Sequence, residues 1–399
     1  MNHADERAWL DAVDRVLGRS HLWRPDQMAE TVTETMARLG IAATVYLVDA
    51  EQVALRALTS FGGDTPKPVP VDDSEPGRAF ATVSPVAGDG RWWVPMVNGT
   101  DRLGVVDFVL PAGVDLQAPG LRQRCEMFAG LVGHLITTTE PRGDHLQLVR
   151  RSQPMSPASE LLWQLLQPLT VSCDQLTVAA VLQPCYSVGG DGYDYAIDGP
   201  VGQVAILDAA GAGLRAGLAT AVAISVMRAT RRAGGGLQDQ ARAVDAALLE
   251  QFPDARFVTG FLAELHLETG LLRYLNAGHP APLLLRHGAD VAQVTGGGRM
   301  PLGIDDADVT IGEQRLEDGD RLLLYTDGVT EARDETGEQF GVNRLVELVQ
   351  QHAAEKLPVA ETLRRLSHAV IEHQHGPPAD DATLLLAEWS SSVAHRSVP

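Results

Sequence analysis

The chain has 399 residues, of which 45% are hydrophobic and 21% are charged, and its formal net charge is −20. This length predicts two or three domains, and the composition is typical of a soluble protein with packed cores. The surplus of 52 Asp and Glu over 32 Lys and Arg repels phosphate-rich surfaces, so we expect no nucleic-acid partner and no membrane partner.

Cysteine content and apolar runs indicate the compartment. The three cysteines, Cys125, Cys173 and Cys185, are widely spaced and match neither a disulfide framework nor a zinc site. The N-terminus has no charged region followed by an apolar one, as a secretory signal would have. The longest apolar stretch, 216–227, is shorter than the roughly 20 residues of a membrane span. We therefore predict a cytoplasmic protein.

Residues 1–140 are predicted to form an α+β domain. Its elements are helices at 6–17, 25–39 and 119–138 and strands at 43–48, 53–60, 92–97 and 104–110. The stretch 61–74 is dense in Gly, Pro and Asp, which indicates a loop.

Residues 141–170 are predicted to form a helical linker. The segment contains a basic cluster and three prolines, followed by helical periodicity over 159–166. Both a plain linker and a signal-transmitting helix are consistent with this pattern.

In residues 171–390 the strands are grouped apart from the helices, and a flexible tail is predicted at 391–399. The order is three strands up to 208, helices at 213–233 and 237–251, strands at 256–266, 271–276, 282–286, 309–314 and 320–325, helices at 341–353 and 359–375, and a strand at 382–388. Such grouping favours antiparallel sheets covered by helices over a doubly wound parallel sheet.

Four short aspartate motifs follow one another in this region, each beside an apolar run that reads as a strand. They are Gly189-Gly190-Asp191-Gly192-Tyr193-Asp194, Asp208-Ala209-Ala210-Gly211-Ala212-Gly213, Thr326-Asp327-Gly328-Val329 and Asp380-Asp381-Ala382-Thr383. Hard oxygen donors without cysteine or a histidine cluster suit Mg²⁺ or Mn²⁺ rather than Zn²⁺. Two such ions close together are a recurrent device for displacement at phosphorus, so the pattern predicts a metal-dependent phosphate hydrolase.

Each aspartate taken alone has a simpler explanation. An Asp that follows a strand caps a helix or forms an Asx turn more often than it binds a metal. Asp327 alone would pass for a turn residue, and Asp380 for a solvated one. Four carboxylates cannot gather without cations, however, because like charges a few Å apart oppose joint ionisation. The inference therefore depends on the set of motifs and not on any one residue.

Together the motifs resemble the PPM family of metal-dependent serine/threonine phosphatases, in particular its bacterial sporulation and stress-response branch. The resemblance covers about residues 170–390 and includes Phe257-Val258-Thr259, the turn Asn276-Ala277-Gly278-His279-Pro280 and the stretch 337–341. It implies an α+β fold of the α-β-β-α type, in which two antiparallel sheets are flanked by helices.

The resemblance also implies roles for individual residues. The positions that correspond to catalytic metal ligands are Asp191, Asp208, Asp327 and Asp380. The backbone carbonyl of Ala209 corresponds to a further ligand, and Asp194 and Asp381 to supporting residues that bind a metal-held water or orient a ligand. The implied reaction is in-line attack on a phosphoserine or phosphothreonine by a water that bridges two Mn²⁺ or Mg²⁺ ions.

The chain departs from this branch in its second motif. Members usually have Gly-His-Gly there, whereas this chain has Gly211-Ala212-Gly213, which puts the full catalytic rate in question and removes no predicted ligand. His279 lies beside Gly and Pro and is interpreted as a structural turn residue at the edge of the site. The helix that starts at Gly213 corresponds to the first of two helices that switch metal-site assembly in related phosphatases.

Residues 7–140 resemble a GAF sensory domain. The resemblance rests on Pro76-Gly77-Arg78-Ala79-Phe80, Ser84-Pro85-Val86, Trp93-Val94-Pro95-Met96 and Leu103-Gly104-Val105-Val106-Asp107-Phe108. It implies either a pocket for a small-molecule ligand or a dimerisation module, and both stay open. Alternation along the strand predicts that only one of Trp92 and Trp93 points inward.

The sequence thus predicts a two-domain signalling enzyme that acts as a homodimer and is regulated by its GAF-like domain. The implied substrate is a phosphorylated regulatory protein, such as an anti-anti-sigma factor. The alternative is a pseudophosphatase that binds a phosphoprotein without turnover, which Ala212 supports. A two-metal nuclease would use similar ligands, but the net charge of −20 disfavours a nucleic-acid substrate.

Overall fold

A computed structural model describes most of the chain. The described residues are 3–60, 62–63, 65–111, 119–183, 186–187, 189–252, 257–286, 290–306, 308–355, 357–374 and 380–391. Of the predicted positions, residues 61 and 64 of the loop, Cys185, Arg256, His375 and 392–399 lie outside these ranges. The chain divides into two compact units, one built mainly from Met1–Gln153 and one that spans Pro154–His395. Within the described ranges, no helix combines the length and the apolar character needed to cross a membrane.

The N-terminal unit is built around one antiparallel sheet. Its helices are α1 (His3–Ser20), α2 (Met28–Ala37), α3 (Glu75–Thr82), α4 (Pro119–Thr139) and α5 (His145–Arg150), with short 3₁₀ turns at Pro25–Gln27 and Glu140–Arg142. Its strands are β1 (Ala42–Val48), β2 (Ala54–Ala57), β3 (Val69–Pro70), β4 (Val86–Gly88), β5 (Arg91–Asn98) and β6 (Asp101–Val109). The strand order is β3-β2-β1-β6-β5-β4.

Both faces of this sheet are covered, which corrects the expectation for the two tryptophans. Trp92 packs in a core formed with α1, α2 and α4, whereas Trp93 packs in a second core formed with α3. Both side chains are buried, because alternation along β5 turns them toward opposite faces that are each covered by helices. The prediction that only one of them points inward is therefore wrong.

The predicted loop at 61–74 is also wrong in one part. Val69 and Pro70 form the short strand β3, which pairs with β2 through Leu55 and Val69. A two-residue strand has no periodicity that a sequence pattern could show. Its existence depends on the neighbouring strand that supplies its hydrogen-bond partners.

The boundary between the two units falls between Gln153 and Pro154, inside the segment 141–170. Helix α6 (Pro157–Leu165) follows this boundary and belongs to the second unit. The Ser156 hydroxyl caps it by accepting a hydrogen bond from the Ser159 N–H at 3.1 Å. The role of this segment as a linker stays a prediction.

The second unit contains two sheets, with helices packed on the outer face of each. After α6, its helices are α7 (Gly213–Arg232), α8 (Leu237–Gln251), α9 (Asp327–Thr330), α10 (Gly341–Ala354) and α11 (Val359–Gln374). Its strands are β7 (Thr170–Ser172), β8 (Leu176–Gln183), β9 (Asp191–Asp198), β10 (Val201–Ala209), β11 (Val258–His266), β12 (Leu271–Ala277), β13 (Leu283–Arg286), β14 (Asp290–Gln293), β15 (Gly298–Arg299), β16 (Gly312–Arg315), β17 (Asp320–Tyr325) and β18 (Ala382–Trp389).

These strands form two sheets that pack face to face. The first, here called the β10 sheet, has the order β15-β12-β11-β10-β9, with β16 also paired to β12. The second, the β18 sheet, has the order β14-β13-β17-β18-β8-β7. The described pairs are antiparallel, apart from the short parallel pair of β12 and β15.

Alternation along the strands produces four layers. Ile206 of β10 and Leu324 of β17 belong to the core between the two sheets. Leu207, one residue on, packs instead against α7 and α8, and Leu323 packs against α10 and α11. The order is therefore helices, sheet, sheet and helices, and the prediction of antiparallel sheets flanked by helices is confirmed for this unit.

A buried ion pair joins the loop around β15 to α8. The Arg299 guanidinium donates two hydrogen bonds to the Asp245 carboxylate, at 2.8 and 3.0 Å, and both side chains are buried. The same carboxylate accepts a hydrogen bond from the Gly303 N–H at 2.8 Å. The loop is thus held by a charge pair that has little access to water.

We expect Asp245→Ala to lower the free energy of unfolding by about 3–5 kcal/mol, because the Arg299 guanidinium would stay buried without its counter-charge. Urea unfolding of the full chain measures this change. The matched control is Arg273→Ala, which removes an exposed pair with Glu313 and should change the free energy of unfolding by less than about 1 kcal/mol. A loss no larger for Asp245→Ala than for the control would contradict the expectation.

Candidate metal centre

The four aspartate motifs meet at one end of the sandwich. Asp191 begins β9 and is the direct register partner of Asp208 on β10. Asp191 shares its face of β9 with Tyr193, which belongs to the core between the sheets, so the Asp191 and Asp208 side chains lie on the face toward the β18 sheet. From that sheet, Asp327 follows β17 and Asp380 precedes β18.

The carboxylate of Asp191 is held by Thr383 of β18 and by Thr326, which directly follows β17. Its Oδ2 accepts a hydrogen bond from the Thr326 hydroxyl at 2.7 Å and one from the Thr383 hydroxyl at 2.7 Å. The Thr383 N–H donates to the Thr326 Oγ1 at 2.9 Å. All three side chains are buried, so these bonds are shielded from competing water.

Asp381 makes a second connection between the sheets. Its Oδ2 accepts hydrogen bonds from the backbone N–H groups of Gly189 at 2.7 Å, Gly190 at 2.6 Å and Asp191 at 3.4 Å. The Asp381 N–H in turn donates to Asp380 Oδ1 at 2.9 Å. Asp381 therefore fixes the turn that immediately precedes Asp191, and it connects the first motif to the fourth.

Glycine is required where these backbones come closest. A Cβ atom on Gly328 would lie 1.8 Å from the carbonyl oxygen of Asp381, and one on Gly190 would lie 2.7 Å from the carbonyl oxygen of Ala209. Any side chain at these positions would push the motifs apart. The third and fourth motifs, and the first and second, are therefore in backbone contact.

The pKa values of the carboxylates are raised first by burial and then by mutual repulsion. Burial raises the pKa of Asp208 to about 7, and neighbouring negative charges act in the same direction. These charges belong to Asp327, Asp380 and Asp381. Burial, followed by the charges of Asp208 and Asp381, raises the pKa of Asp191 well above its ordinary value. The charged forms are thus unfavourable together unless a cation offsets them.

The donor set fits hard divalent cations, although the side chains are spaced apart. Its donors are carboxylate and carbonyl oxygens, which Mg²⁺ and Mn²⁺ prefer. Across the described residues, no three His, Cys, Asp or Glu side chains are grouped closely enough to hold an ion. The aspartates are electrostatic neighbours, as the shifted pKa values of Asp191 and Asp208 indicate.

Asp194 lies on the other face of β9 and contacts α7. Its Oδ1 accepts a hydrogen bond from the Arg228 Nε at 2.8 Å, and its Oδ2 accepts one from the Arg231 Nη1 at 2.9 Å. The carboxylate is fully buried. The structure thus separates Asp194 from the other aspartates, and its contacts anchor α7 to the strand that begins with Asp191.

His279 closes a turn beside the cluster. The backbone N–H of His279 donates to Asn276 Oδ1 at 2.7 Å, and the Asn276 side-chain amide donates to the His279 backbone carbonyl at 2.9 Å. Its Nδ1 lies 3.0 Å from the hydroxyl of Thr259, the register partner of Asp208. Burial lowers the pKa of His279 to about 3, so the imidazole is neutral at physiological pH. These contacts agree with a structural turn residue.

Thr326 and Thr383 belong to the third and fourth motifs, in which the sequence pattern indicates no role for them. Each lies within three residues of a predicted ligand, on the sheet opposite Asp191. Their function depends on a contact across about 135 and 192 positions of sequence, which only the packing of the two sheets creates. A hydroxyl beside an aspartate at a strand end is the signal that could have found them.

Comparison with known proteins identifies several relatives of this chain. Residues 202–390 match the family model described as Stage II sporulation protein E (SpoIIE). Protein IcfG of Synechocystis sp. is 30% identical over 132 residues, which are 33% of this chain and 20% of that protein. Phosphoserine phosphatase RsbU of Bacillus subtilis is 24% identical over 216 residues, which are 53% of this chain and 63% of that protein.

A solved structure of the RsbU and RsbW domains of a Mycobacterium tuberculosis protein is 25% identical to this chain. The match covers 56% of this chain and 63% of that one, with a TM-score of 0.47. This chain spans less than two thirds of the length of the two curated relatives.

We expect Asp208→Asn to raise the melting temperature of the metal-free protein, because it removes one charge from a cluster of like charges. Since the Asp208 carboxyl is partly exposed, the gain should be about 1–2 kcal/mol, less than its full pKa shift would imply. Thermal unfolding in EDTA at neutral pH measures it. Asp198→Asn, at an exposed position at the other end of β9, should leave the melting temperature unchanged. A melting temperature lowered by Asp208→Asn would show that the carboxylate is stabilised rather than repelled.

Proposed function

We propose that the chain is a metal-dependent protein serine/threonine phosphatase, because its residues 202–390 match the SpoIIE family model and the chain is 24% identical over 216 residues to phosphoserine phosphatase RsbU. The observation that supports this most directly is the meeting of four aspartate motifs from two sheets at one end of the sandwich. Gathered carboxylates that resist joint ionisation are a cost to the fold unless cations bind there.

The proposed ligands are those that the sequence motifs indicate. They are Asp191, Asp208, Asp327, Asp380 and the backbone carbonyl of Ala209. Two Mn²⁺ or Mg²⁺ ions at this position would supply a nucleophilic water and offset the charge of the phosphoryl oxygens. Asp381 acts on this site by holding the turn at Gly189 and Gly190, which sets the position of Asp191.

The second motif gives the site no side-chain proton donor. Ala212 is exposed at the start of α7, where family members usually have an imidazole. His279 does not replace it, because that side chain is buried and is engaged in a turn. The proposed enzyme would therefore rely on its cations and on solvent for proton transfer to the leaving group.

We further propose a phosphorylated regulatory protein, such as an anti-anti-sigma factor, as the substrate. RsbU is a phosphoserine phosphatase, and this chain is similar to it over 216 residues. The N-terminal unit is proposed to be a GAF-like regulatory domain that acts within a homodimer in the cytoplasm. In support of this proposal, the unit has hydrophobic cores of its own on both faces of its sheet, as a separately folded domain can have.

The second candidate is a pseudophosphatase that binds a phosphoprotein without turning it over. Ala212 is the specific observation in its favour, because an imidazole at that position would position phosphate or supply a proton. This candidate predicts metal and phosphoprotein binding without hydrolysis, which the following assay separates from catalysis.

We expect the full chain to hydrolyse p-nitrophenyl phosphate when Mn²⁺ or Mg²⁺ is added, and EDTA to remove the activity. Asp208→Asn and Asp327→Asn should each lower kcat at least about 100-fold, since each removes a proposed ligand. Asp198→Asn, an exposed aspartate outside the cluster, should behave as the unmodified chain does. Steady-state kinetics with a phosphoserine peptide as a second substrate provide the measurement.

Activity that persists in EDTA, or an Asp208→Asn variant with unchanged kcat, would contradict the proposal that two metal ions at this site drive hydrolysis. Metal binding by calorimetry without any hydrolysis would favour the pseudophosphatase.

We expect Ala212→His to raise kcat on the phosphoserine peptide by about 10-fold or more, because it returns a proton donor to the second motif. Ala212→Asn, which is polar but cannot donate a proton to the leaving group in the same way, serves as the control. An equal kcat for the two variants and the unmodified chain would show that position 212 takes no part in the chemistry.

A further inference from the structure

We propose that Thr326 and Thr383 select Mg²⁺ or Mn²⁺ over Ca²⁺ by leaving Asp191 only one carboxylate oxygen for a metal ion. This inference rests on the proposed function, because it takes Asp191 to be a ligand. It assigns to two threonines of the β18 sheet a role in metal specificity.

The hydrogen-bond directions around Thr326 are fixed by the backbone. The Thr326 hydroxyl oxygen accepts the Thr383 N–H at 2.9 Å, and the Thr326 N–H donates to the Thr383 carbonyl at 3.1 Å. Because the Thr326 hydroxyl oxygen is the acceptor toward Thr383, the Thr326 hydroxyl proton is donated to Asp191 Oδ2, 2.7 Å away. Thr383 donates its own hydroxyl proton to the same oxygen.

Two donors on one oxygen fix how the carboxylate is oriented. A carboxylate oxygen has two lone pairs, and both of those on Oδ2 are used by the threonine hydroxyls. Asp208 is the register partner of Asp191 across the strands, and the two carboxyls influence each other's pKa. The second oxygen of Asp191 is thus the one left to face the other carboxylates, and turning Oδ2 toward them would break two buried hydrogen bonds.

The number of oxygens that a carboxylate offers distinguishes the cations. Ca²⁺ takes six to eight oxygen ligands at about 2.3–2.6 Å and commonly uses carboxylates through both oxygens. Mg²⁺ takes six ligands at about 2.0–2.1 Å in near-octahedral geometry and usually keeps several waters. Restricting Asp191 to one oxygen lowers the number of protein ligands at the site, which disfavours Ca²⁺ more than the smaller ion.

A purely structural role for the threonines makes a different prediction. Thr326 and Thr383 also link the β18 sheet to β9, so removing them could loosen the whole site. Loosening would weaken the binding of every divalent cation by a similar factor. The ratio of Ca²⁺ to Mn²⁺ affinity therefore separates selection from simple support, independently of turnover.

The test is isothermal calorimetry of the metal-free full chain with MnCl₂, MgCl₂ and CaCl₂. Thr383→Val and Thr326→Val should each raise the Kd for Mn²⁺ by about 10-fold, as the loss of a hydrogen bond to a ligand typically does. The Kd for Ca²⁺ should rise less or fall, so that the preference for Mn²⁺ over Ca²⁺ drops at least about 5-fold. The double variant should lose more of this preference than either single variant.

Two controls accompany these variants. Thr383→Ser keeps the hydroxyl and should keep the preference of the unmodified chain. Thr362→Val removes the hydroxyl of another buried threonine, whose Oγ1 has no hydrogen-bond partner among the described residues, and should leave both Kd values unchanged. Circular dichroism and thermal unfolding establish that each variant is folded. If Thr383→Val does not fold, Thr326→Val decides the question, because it leaves one donor on Asp191.

Equal weakening of Mn²⁺ and Ca²⁺ binding, or no change in either, would overturn the selection proposal while leaving the phosphatase proposal in place. Failure of the unmodified chain to bind Mn²⁺ would overturn both. Failure to hydrolyse phosphate esters despite tight and selective Mn²⁺ binding would overturn only the enzymatic function.

Discussion

The free-energy cost of burying several aspartates side by side is the constraint on which one rim of the second unit depends. Burial and neighbouring charges raise the pKa of Asp208 to about 7 and also raise that of Asp191. The fold holds these groups together by giving them donors, namely the hydroxyls of Thr326 and Thr383 on Asp191 and three backbone N–H groups on Asp381. The hydrogen bonds that stabilise the charged carboxylates are therefore donated at the same site where burial and repulsion destabilise them.

The hydrophobic layers determine where this cluster forms. Side chains such as Ile206 and Leu324 pack between the two sheets, and this packing brings β9 and β10 opposite β17 and β18. Because the strand ends meet at the same rim, aspartates that are distant in sequence become neighbours. Apolar burial thus supplies the free energy that offsets the repulsion at the rim. The ion pairs of buried Asp194 with the partly buried Arg228 and Arg231 attach α7 to the same strand that starts with Asp191.

Most of the regular elements could be predicted from local pattern, because their signal lies within a few neighbouring residues. The helix at 237–251 and the strand at 320–325 have the predicted bounds, because neighbouring residues determine both their apolar periodicity and their ends. β3 and the burial of both Trp92 and Trp93 could not be predicted in this way. A two-residue strand depends on its neighbour, and the burial of both faces of β5 depends on helices far away in sequence.

The sequence by itself determined the order of the motifs, the type of donor atom and the class of layered fold, because these follow from residue chemistry and from periods of two or about 3.6 residues. Only the tertiary structure decided which aspartates are neighbours and which are not. Asp194 is three residues from Asp191, yet alternation and the packing of α7 turn it away to two arginines. Thr383 is 192 residues from Asp191, yet the meeting of two sheets places its hydroxyl on that carboxylate. Such contacts depend on how separate segments pack, which local sequence does not specify.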